Sequence, residues 1–230
     1  MTGEGRPARP AGRPAARETS RTGTLAASAL GIPTGNTFDK YGSANPVIRR
    51  LMARFERSAA ELLDHAAPRS LLDVGCGEGV LTERWAARDG RCETVGVDLE
   101  DLALVAHWAR RSARANLRFA AMEAEALGFG DGSFELVAAT EVLEHVADPS
   151  AVLTEMARVA SGWLLVSVPR EPLWRMLNLA RGAYVTELGN TPGHLHHWTP
   201  GSFRRLLAAH GEIVCARTPL PWTMLLLRVG

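Results

Sequence analysis

Apolar residues along the chain follow two kinds of pattern. Short apolar runs, each ending in a polar or glycine-rich turn, have the length of buried strands. They cover 71–74, 93–97, 117–121, 135–139 and 163–168. Longer segments carry apolar residues at helical spacing, and they cover 46–67, 78–87, 99–114 and 149–160. This order of strands and helices is typical of an α/β fold with a mostly parallel sheet and helices on both faces.

The remainder of the chain extends the same domain. A long insertion at about 170–198 is followed by a helix and by two apolar runs, at 212–216 and 222–228, which we expect to form an antiparallel hairpin that closes the sheet. With 230 residues the chain supports one sizeable domain, which we place at 35–230. Residues 1–34 are rich in Arg and Pro and are expected to form a disordered tail.

A turn with glycine at alternate positions directly follows the first strand. Gly75, Gly77 and Gly79 permit positive φ and leave space for a ligand against the backbone. The dinucleotide-binding fingerprint is G-x-G-x-x-G, whereas the spacing here is G-x-G-x-G, with Asp73 inside the strand. Such turns occur in folds that bind dinucleotides and in folds that bind S-adenosylmethionine, so the turn alone leaves both open.

Acidic residues stand at or just after the carboxyl ends of later strands. Asp98 ends the second strand, where a carboxylate accepts hydrogen bonds from a ribose diol. Glu123 and Glu141 follow the third and fourth strands. Because ligands of open α/β sheets bind outside the carboxyl ends of the strands, these residues and the glycine turn predict a single site at one edge.

Five motifs, in this order and spacing, resemble those of class I S-adenosylmethionine-dependent methyltransferases. They are Leu-Asp-Val-Gly-Cys-Gly-Glu-Gly (72–79), Val-Gly-Val-Asp (95–98), Glu-Ala-Glu-Ala-Leu-Gly-Phe (123–129), Asp-Gly-Ser-Phe-Glu-Leu-Val (131–137) and Glu-Val-Leu-Glu-His-Val (141–146). The resemblance extends over about 70–228. It implies a Rossmann-like three-layer sandwich whose seven-stranded sheet is parallel apart from an antiparallel last strand.

The resemblance also implies S-adenosylmethionine as cofactor and a set of residues that bind it. Asp73 and the glycine turn would cradle its methionine part, and Asp98 would hold its ribose hydroxyls. Glu123 stands where this family commonly has Asp, which contacts the adenine amino group. The complete expected set is Tyr41, Asp73, Gly75, Gly77, Asp98, Leu99, Glu123, Ala124 and Glu141.

The motif at 141–146 resembles the corresponding stretch of quinone-biosynthesis O-methyltransferases. That resemblance implies that Glu141, Glu144 and His145 converge near the reacting centre, with a divalent metal as one reading and a structural role for His145 as another. The insertion should cover the acceptor pocket as a lid, and it carries His194, His196 and His197. These are either a base or metal cluster or polar loop residues; as a base we choose His194 or His197. The candidate catalytic residues are therefore Glu141, His145, His194 and His197.

Together these features predict a methyltransferase that acts on a small molecule, with oxygen as the first choice of acceptor. Nitrogen or a carboxylate is the alternative acceptor, and a catalytically inactive cofactor-binding protein is the alternative class. The glycine spacing disfavours an NAD-linked oxidoreductase.

Composition bears on partners and location. A net charge of +1 gives no overall electrostatic case for nucleic acid. No apolar run approaches the roughly 20 residues of a membrane span. The three scattered cysteines fit a reducing compartment, so we expect a cytoplasmic protein. A monomer and a homodimer are both compatible with the sequence.

Overall fold

The computed structural model describes residues 41–180, 182 and 184–230. The expected tail at 1–34 lies outside these residues. None of the helices in the described part combines the length and the apolar character needed to cross a membrane.

The described residues form a sheet and the helices that cover it. The strands are β1 (Ser70–Val74), β2 (Glu93–Asp98), β3 (Leu117–Ala121), β4 (Phe134–Thr140), β5 (Ala160–Pro169), β6 (Glu212–Arg217) and β7 (Trp222–Arg228). The helices are α1 (Pro46–Ala66), α2 (Val80–Arg88), α3 (Leu102–Arg111), α4 (Pro149–Val159), α5 (Leu173–Ala180) and α6 (Pro200–Leu207).

The seven strands lie in the order β3-β2-β1-β4-β5-β7-β6. The first five pair in parallel, and β7 is antiparallel to both of its neighbours. The predicted α/β class and mostly parallel sheet are thus confirmed. The last strand lies inside the sheet, and β6 forms the edge. All residues of β7 except Arg228 are buried, so an interior position covers both of its faces.

The register of the central strands brings their carboxyl ends to one level. Val74 of β1 pairs with Val97 of β2 and with Ala139 of β4. Thr140 then pairs with Ser167 of β5. The chain therefore leaves β1, β2 and β4 at the same edge of the sheet, on both sides of β1, where the strand order changes direction.

Apolar side chains fill both faces of the sheet. One core cluster includes Leu72, Val137 and Leu164, all 0% exposed, and packs under α4 and α6. The other joins Leu136 to Phe55 and Leu62 of α1. The side chain of Asn45 caps α1 by accepting a hydrogen bond from the N–H of Val47 at 2.9 Å.

Helix α3 begins three residues later than the sequence pattern indicates. The apolar spacing predicts a start at Leu99, whereas the helix starts at Leu102. The side chain of Asp101 caps it by accepting from the N–H of Ala103 at 2.7 Å. Leu99 and Glu100 are therefore left outside the helix, beside the end of β2.

A buried asparagine fixes the connection between α2 and β2. The Asn116 Nδ2 group donates to the carbonyls of Ala86 (3.0 Å) and Cys92 (2.9 Å), and the residue is 7% exposed. Its amide therefore links the carbonyl of a residue in α2 to that of the residue just before β2.

Asn116→Ala should lower the free energy of unfolding by about 2 kcal/mol, because it removes the buried amide that donates to both carbonyls. Urea unfolding followed by circular dichroism measures this loss. The exposed neighbour Arg114 provides the control, since Arg114→Ala should change the free energy by less than about 0.5 kcal/mol. Equal effects of the two substitutions would contradict the structural role of the amide.

Candidate functional site

The glycine turn after β1 adopts the backbone conformation that its sequence predicts. Gly75 and Gly77 have φ of 70° and 55°. A Cβ atom on Gly75 would lie 2.4 Å from Cγ2 of Val142, so this position has no room for a side chain. The N–H groups of Gly75 and Cys76 donate to the carbonyl of Val97 at 2.8 and 3.0 Å, which fastens the turn to the end of β2.

Asp98 faces this turn from the end of β2. Its Oδ2 accepts from the N–H of Gly77 at 2.7 Å, and its Oδ1 accepts from the N–H of Leu99 at 2.8 Å. Burial raises the pKa of Asp98, and the two amide hydrogen bonds oppose that rise. Each carboxylate oxygen carries further lone pairs, so the group keeps acceptor capacity for a ligand.

Asp73 lies beneath the turn and is 1% exposed. Its Oδ2 accepts from the Thr82 hydroxyl at 2.6 Å, whereas its Oδ1 has no hydrogen-bond partner among the described residues. The pKa of Asp73 is raised to about 7, mainly by burial. The hydrogen bond from Thr82 opposes this rise, and the charge of Asp98 adds to it. A positively charged group placed at Oδ1 would therefore find a carboxylate that is close to its protonation midpoint at neutral pH.

Two side chains of α3 hold the carbonyls of the turn. The Trp108 Nε1 group donates to the carbonyl of Gly77 at 2.8 Å, and Arg111 Nε donates to that of Glu78 at 2.8 Å. The Trp108 ring also stacks on Phe119, with ring centroids 5.7 Å apart. None of the sequence motifs predicts a role for α3 at the site. The one local signal is a Trp on a helix, since a buried indole N–H needs an acceptor.

Tyr41 lies near the charged groups of the turn. Its pKa is raised by burial first and then by the charges of Asp73 and Glu56. The guanidinium of Arg84 lies 5.4 Å from the centre of its ring. Tyr41 therefore lies close enough to Asp73 to feel its charge, at a position where the sequence predicts a cofactor contact.

The loop after β3 carries two further predicted cofactor contacts, Glu123 and Ala124. The N–H of Met122 donates to the carbonyl of Asp98 at 2.8 Å, which holds this loop against the end of β2. Glu123 is exposed, whereas Ala124 and Leu99 are partly buried. All three lie beside Asp98, at the end of the site opposite to the loop after β4.

Glu141 is the first residue after β4, and its backbone and side chain are both constrained. Its φ is 63°, an uncommon value for a residue other than glycine. Its Oε2 accepts from Trp222 Nε1 at 2.6 Å, and its Oε1 accepts from the Ser167 hydroxyl at 3.5 Å. Glu141 therefore contacts β5 and β7, and its neighbours Glu144 and His145 reach a different set of residues.

Glu144 and His145 contact the insertion. The carbonyl of Glu144 accepts from the N–H groups of Leu195 (2.7 Å) and His196 (3.3 Å). His145 Nδ1 lies 3.0 Å from the carbonyl of Gly193. Since a carbonyl only accepts, Nδ1 carries the proton in this contact and the lone pair of a neutral His145 is on Nε2.

His194 completes a cluster with these two residues, which we call the Glu144–His145–His194 cluster. One donor atom of each side chain lies within 4.8 Å of the others. The rings of His194 and His145 meet edge to face at 4.9 Å, and Trp174 of α5 stacks on His194 at 6.1 Å. Burial, together with the smaller effects of the charges of His145 and His197, lowers the pKa of His194 to about 3. Its imidazole is therefore neutral at physiological pH.

His197 lies apart from this cluster and is the more exposed of the two candidate bases. Its Nδ1 is 3.9 Å from Oε1 of Glu171, whose side chain is 9% exposed. The structure thus separates two histidines that the sequence offered as equivalent alternatives.

The insertion is held by hydrogen bonds within itself and at its base. The N–H of Glu171 donates to the carbonyl of Trp198 at 2.9 Å, which joins its two ends. The Thr191 hydroxyl oxygen accepts from Trp174 Nε1 at 2.8 Å and from Asn178 Nδ2 at 3.2 Å. These bonds fasten α5 to the segment that carries the histidines.

Comparison with known proteins identifies the domain. A family model described as a methyltransferase domain matches residues 72–166. The ubiquinone biosynthesis O-methyltransferase of Caulobacter sp. (strain K31) is 32% identical over 180 residues, which cover 74% of this chain and 71% of that protein. The protein of the same name from Methylococcus capsulatus is 33% identical, over 57% of this chain and 61% of that relative. The chain thus spans less than two thirds of the Methylococcus protein.

A solved structure shares the fold. The magnesium protoporphyrin IX methyltransferase of Synechocystis PCC 6803, crystallised with bound SAH, aligns with a TM-score of 0.60 over 82% of this chain and 90% of that one, at 18% identity. At 18% identity this similarity shows only that the fold is shared. The Caulobacter relative is similar in sequence as well, at 32% identity over most of its length. The chain therefore belongs to the class I S-adenosylmethionine-dependent methyltransferases, whose cofactor is the one that the glycine turn and Asp98 predict.

Proposed function

We propose that this protein transfers a methyl group from S-adenosylmethionine to an oxygen of a small hydroxylated molecule. One observation carries the proposal: the cradle formed by the glycine turn, Asp73 and Asp98 opens at the same edge of the sheet as the histidines of the insertion. The names of the curated relatives, which are O-methyltransferases of ubiquinone biosynthesis, support oxygen as the acceptor atom.

The cofactor contacts follow from the chemistry of the two aspartates. The N–H groups of Gly77 and Leu99 already orient the Asp98 carboxylate. Its remaining lone pairs accept hydrogen bonds from the ribose hydroxyls. Asp73 Oδ1 receives the ammonium group of the methionine part, because a buried carboxylate oxygen favours a cation beside it. These contacts would hold the cofactor at the edge of the sheet, where it would supply the methyl group to the acceptor.

Methyl transfer requires an acceptor lone pair in line with the carbon–sulfur bond, in a site shielded from water. The insertion supplies that shield in our proposal, since it docks on Glu144 and His145 above the strand ends. As the oxygen–carbon bond forms, the carbon–sulfur bond breaks and S-adenosylhomocysteine leaves. The hydroxyl proton passes to a base of the protein.

Of the two candidate bases, we choose His197. Burial lowers the pKa of His194, which makes it a poor proton acceptor. His197 is the more exposed residue, and its Nδ1 lies 3.9 Å from Oε1 of Glu171. His145 uses Nδ1 to bond to Gly193 and contributes to binding on the acceptor side. Glu141, which contacts Trp222 and Ser167, positions the loop after β4 beside the cofactor.

His197→Gln should lower kcat by about 10²-fold or more, because it removes the base while keeping a polar side chain of similar size. Transfer of a labelled methyl group to a panel of phenols, other alcohols, amines and acids measures both rate and acceptor class. His196→Gln is the matched control and should leave the rate unchanged.

Two results would count against these assignments. An unchanged rate in His197→Gln would remove His197 as base. Transfer to amines but to no hydroxyl compound would replace oxygen with the nitrogen alternative. As a control, calorimetric titration with S-adenosylhomocysteine should give the same affinity for His197→Gln as for the wild type. Equal affinities show that the substitution leaves the cofactor site intact.

The affinity for S-adenosylhomocysteine should fall as the pH falls through the pKa of Asp73, about 7. Below that value the carboxyl is protonated and no longer attracts the ammonium group, so binding should be about tenfold weaker at about pH 6 than at about pH 8. Asp73→Asn has no such titration and should bind more weakly at both values, with a smaller pH dependence. Identical pH profiles for the two proteins, measured by calorimetry, would refute the contact.

Trp108→Phe tests the support of the turn by α3. The phenyl ring keeps the stacking on Phe119 but loses the hydrogen bond to the carbonyl of Gly77. We expect the dissociation constant of S-adenosylhomocysteine to rise about tenfold, equivalent to about 1.4 kcal/mol, with little change in kcat at saturating cofactor. Trp163→Phe, on the other side of the protein beside Arg228, is the control and should bind as the wild type does. A wild-type dissociation constant in Trp108→Phe would show that the hydrogen bond is dispensable.

A further inference from the structure

A cavity that the proposed reaction does not use lies between α1 and the turn that joins β6 to β7. It has a volume of about 350 Å³, which is within the range of about 300–1,000 Å³ that small-molecule sites occupy. The residues that line it come from these two elements, and they are Arg54, Arg57, Ser58, Thr218, Pro219 and Leu220. The glycine turn, Asp73 and Asp98 do not line it, so the cavity is separate from the cofactor cradle.

The two arginines of this cavity carry charges that no acidic side chain neutralises. Within the described part of the chain, neither Arg54 nor Arg57 takes part in an ion pair, and both side chains are exposed. Each acidic residue of α1 pairs instead with an arginine outside the helix, namely Glu56 with Arg84, Glu61 with Arg217 and Asp64 with Arg88. The cavity is therefore a positively charged space that attracts an anion.

Helical spacing places the polar side chains of α1 on one side of the cavity. Arg57 follows Arg54 by three positions and Ser58 follows it by four, and residues at these spacings are neighbours on the surface of a helix. Thr218 lines the same space from the turn. Two guanidinium groups and two hydroxyl groups, from elements that are distant in sequence, thus surround one space that is large enough for a ligand.

We propose that this cavity binds the phosphate group of a small soluble molecule. The planar fork of a guanidinium group donates paired hydrogen bonds to phosphate oxygens, and the two hydroxyl groups add further donors. A phosphate monoester has a charge of about −1.5 to −2 and more acceptor oxygens than a carboxylate, so it can bind both arginines at once. Pro219 and Leu220 offer apolar contacts to the carbon part of the molecule. This inference goes beyond the proposed methyl transfer, because it assigns a second class of ligand to a separate site.

Trp222 connects this cavity to the loop after β4. Its N–H donates to the carbonyl of Pro219 at 2.6 Å, and its ring meets that of Phe55 of α1 with centroids 4.9 Å apart. Its Nε1 donates to Oε2 of Glu141 at 2.6 Å. A phosphate group that joins α1 to the turn therefore links the two elements that hold Trp222, and the turn should open less often when the ligand is bound.

Calorimetric titration of the full chain with inorganic phosphate tests the site, at low ionic strength and without cofactor or acceptor. The wild type should bind one equivalent, and acetate should bind more than about tenfold more weakly than phosphate, because it has a smaller charge. Arg54→Gln and Arg57→Gln should each raise the dissociation constant of phosphate about tenfold, since each removes charged hydrogen-bond donors. Thr218→Val keeps the shape of the side chain but loses its hydroxyl, and should raise that constant about threefold.

Arg49→Gln is the matched control for the two arginine variants. Arg49 is an exposed arginine of the same helix that does not line the cavity, so its substitution removes the same charge and should leave phosphate binding unchanged. Thermal unfolding without phosphate serves as the folding control, because substitutions of exposed side chains usually change stability little. If an arginine variant proves unstable, Thr218→Val still tests the cavity from its other wall.

Four outcomes would overturn the proposal. They are no phosphate binding by the wild type, an equal loss of affinity in Arg49→Gln, wild-type affinity in all three cavity variants, and acetate binding as tight as that of phosphate. Vesicles of phosphatidylglycerol distinguish a lipid headgroup from a soluble ligand. Vesicle binding that requires Arg54 and Arg57, without binding of inorganic phosphate, would assign the two arginines to a lipid surface instead.

Amide hydrogen exchange locates the bound phosphate without any measurement of turnover. Phosphate should slow exchange over 218–222 in the wild type but not in Arg57→Gln, because the ligand joins the turn to α1 through that arginine. Equal slowing in both proteins, or slowing at the glycine turn instead, would contradict the placement of the phosphate in this cavity.

Discussion

The hydrogen bonds from the turn after β1 to the end of β2 determine how the site is built. When the N–H groups of Gly75 and Cys76 bond to the carbonyl of Val97, the next amide, that of Gly77, points at the Asp98 carboxylate. This path needs positive φ at the glycines and no side chain at Gly75, because Val142 packs there. The position of the loop after β4 is therefore coupled to the backbone of the first turn.

Much of the fold is readable from the sequence because buried strands need continuous apolar runs. The limits of β3 and β7 match the predicted ones residue for residue. The predicted start of α3 was wrong. The apolar spacing begins at Leu99, before the point where the side chain of Asp101 caps the helix. The sequence alone does not place β7 inside the sheet. Its burial on both faces becomes visible only when the neighbouring strands are known.

The cofactor side of the site was predictable for a related reason. Asp73, Gly75 and Asp98 belong to strand ends, and parallel strands in register bring those ends together without any contact specified by a particular side chain. The part of the candidate site around the loop after β4 and the insertion depends instead on contacts between residues that are distant in sequence. Trp222 and Glu141 are 81 positions apart, and no local pattern indicates that they meet. In the same way, the sequence offers His194 and His197 as neighbours on one loop, and only the packing of that loop gives them different surroundings.

The closed base of the insertion has a further consequence. The N–H of Glu171 bonds to the carbonyl of Trp198, so the chain leaves the sheet and returns to it at nearly the same point. A segment with adjoining ends can change in length and sequence without shifting β5 or α6, which lie on either side of it. In the proposed function, the sheet and the turns at its edge are the fixed part that holds the cofactor, and the insertion is the replaceable part that covers the acceptor. If the insertion covers the acceptor as proposed, replacing the 172–197 segment on this base should change the acceptor specificity within an unchanged sheet.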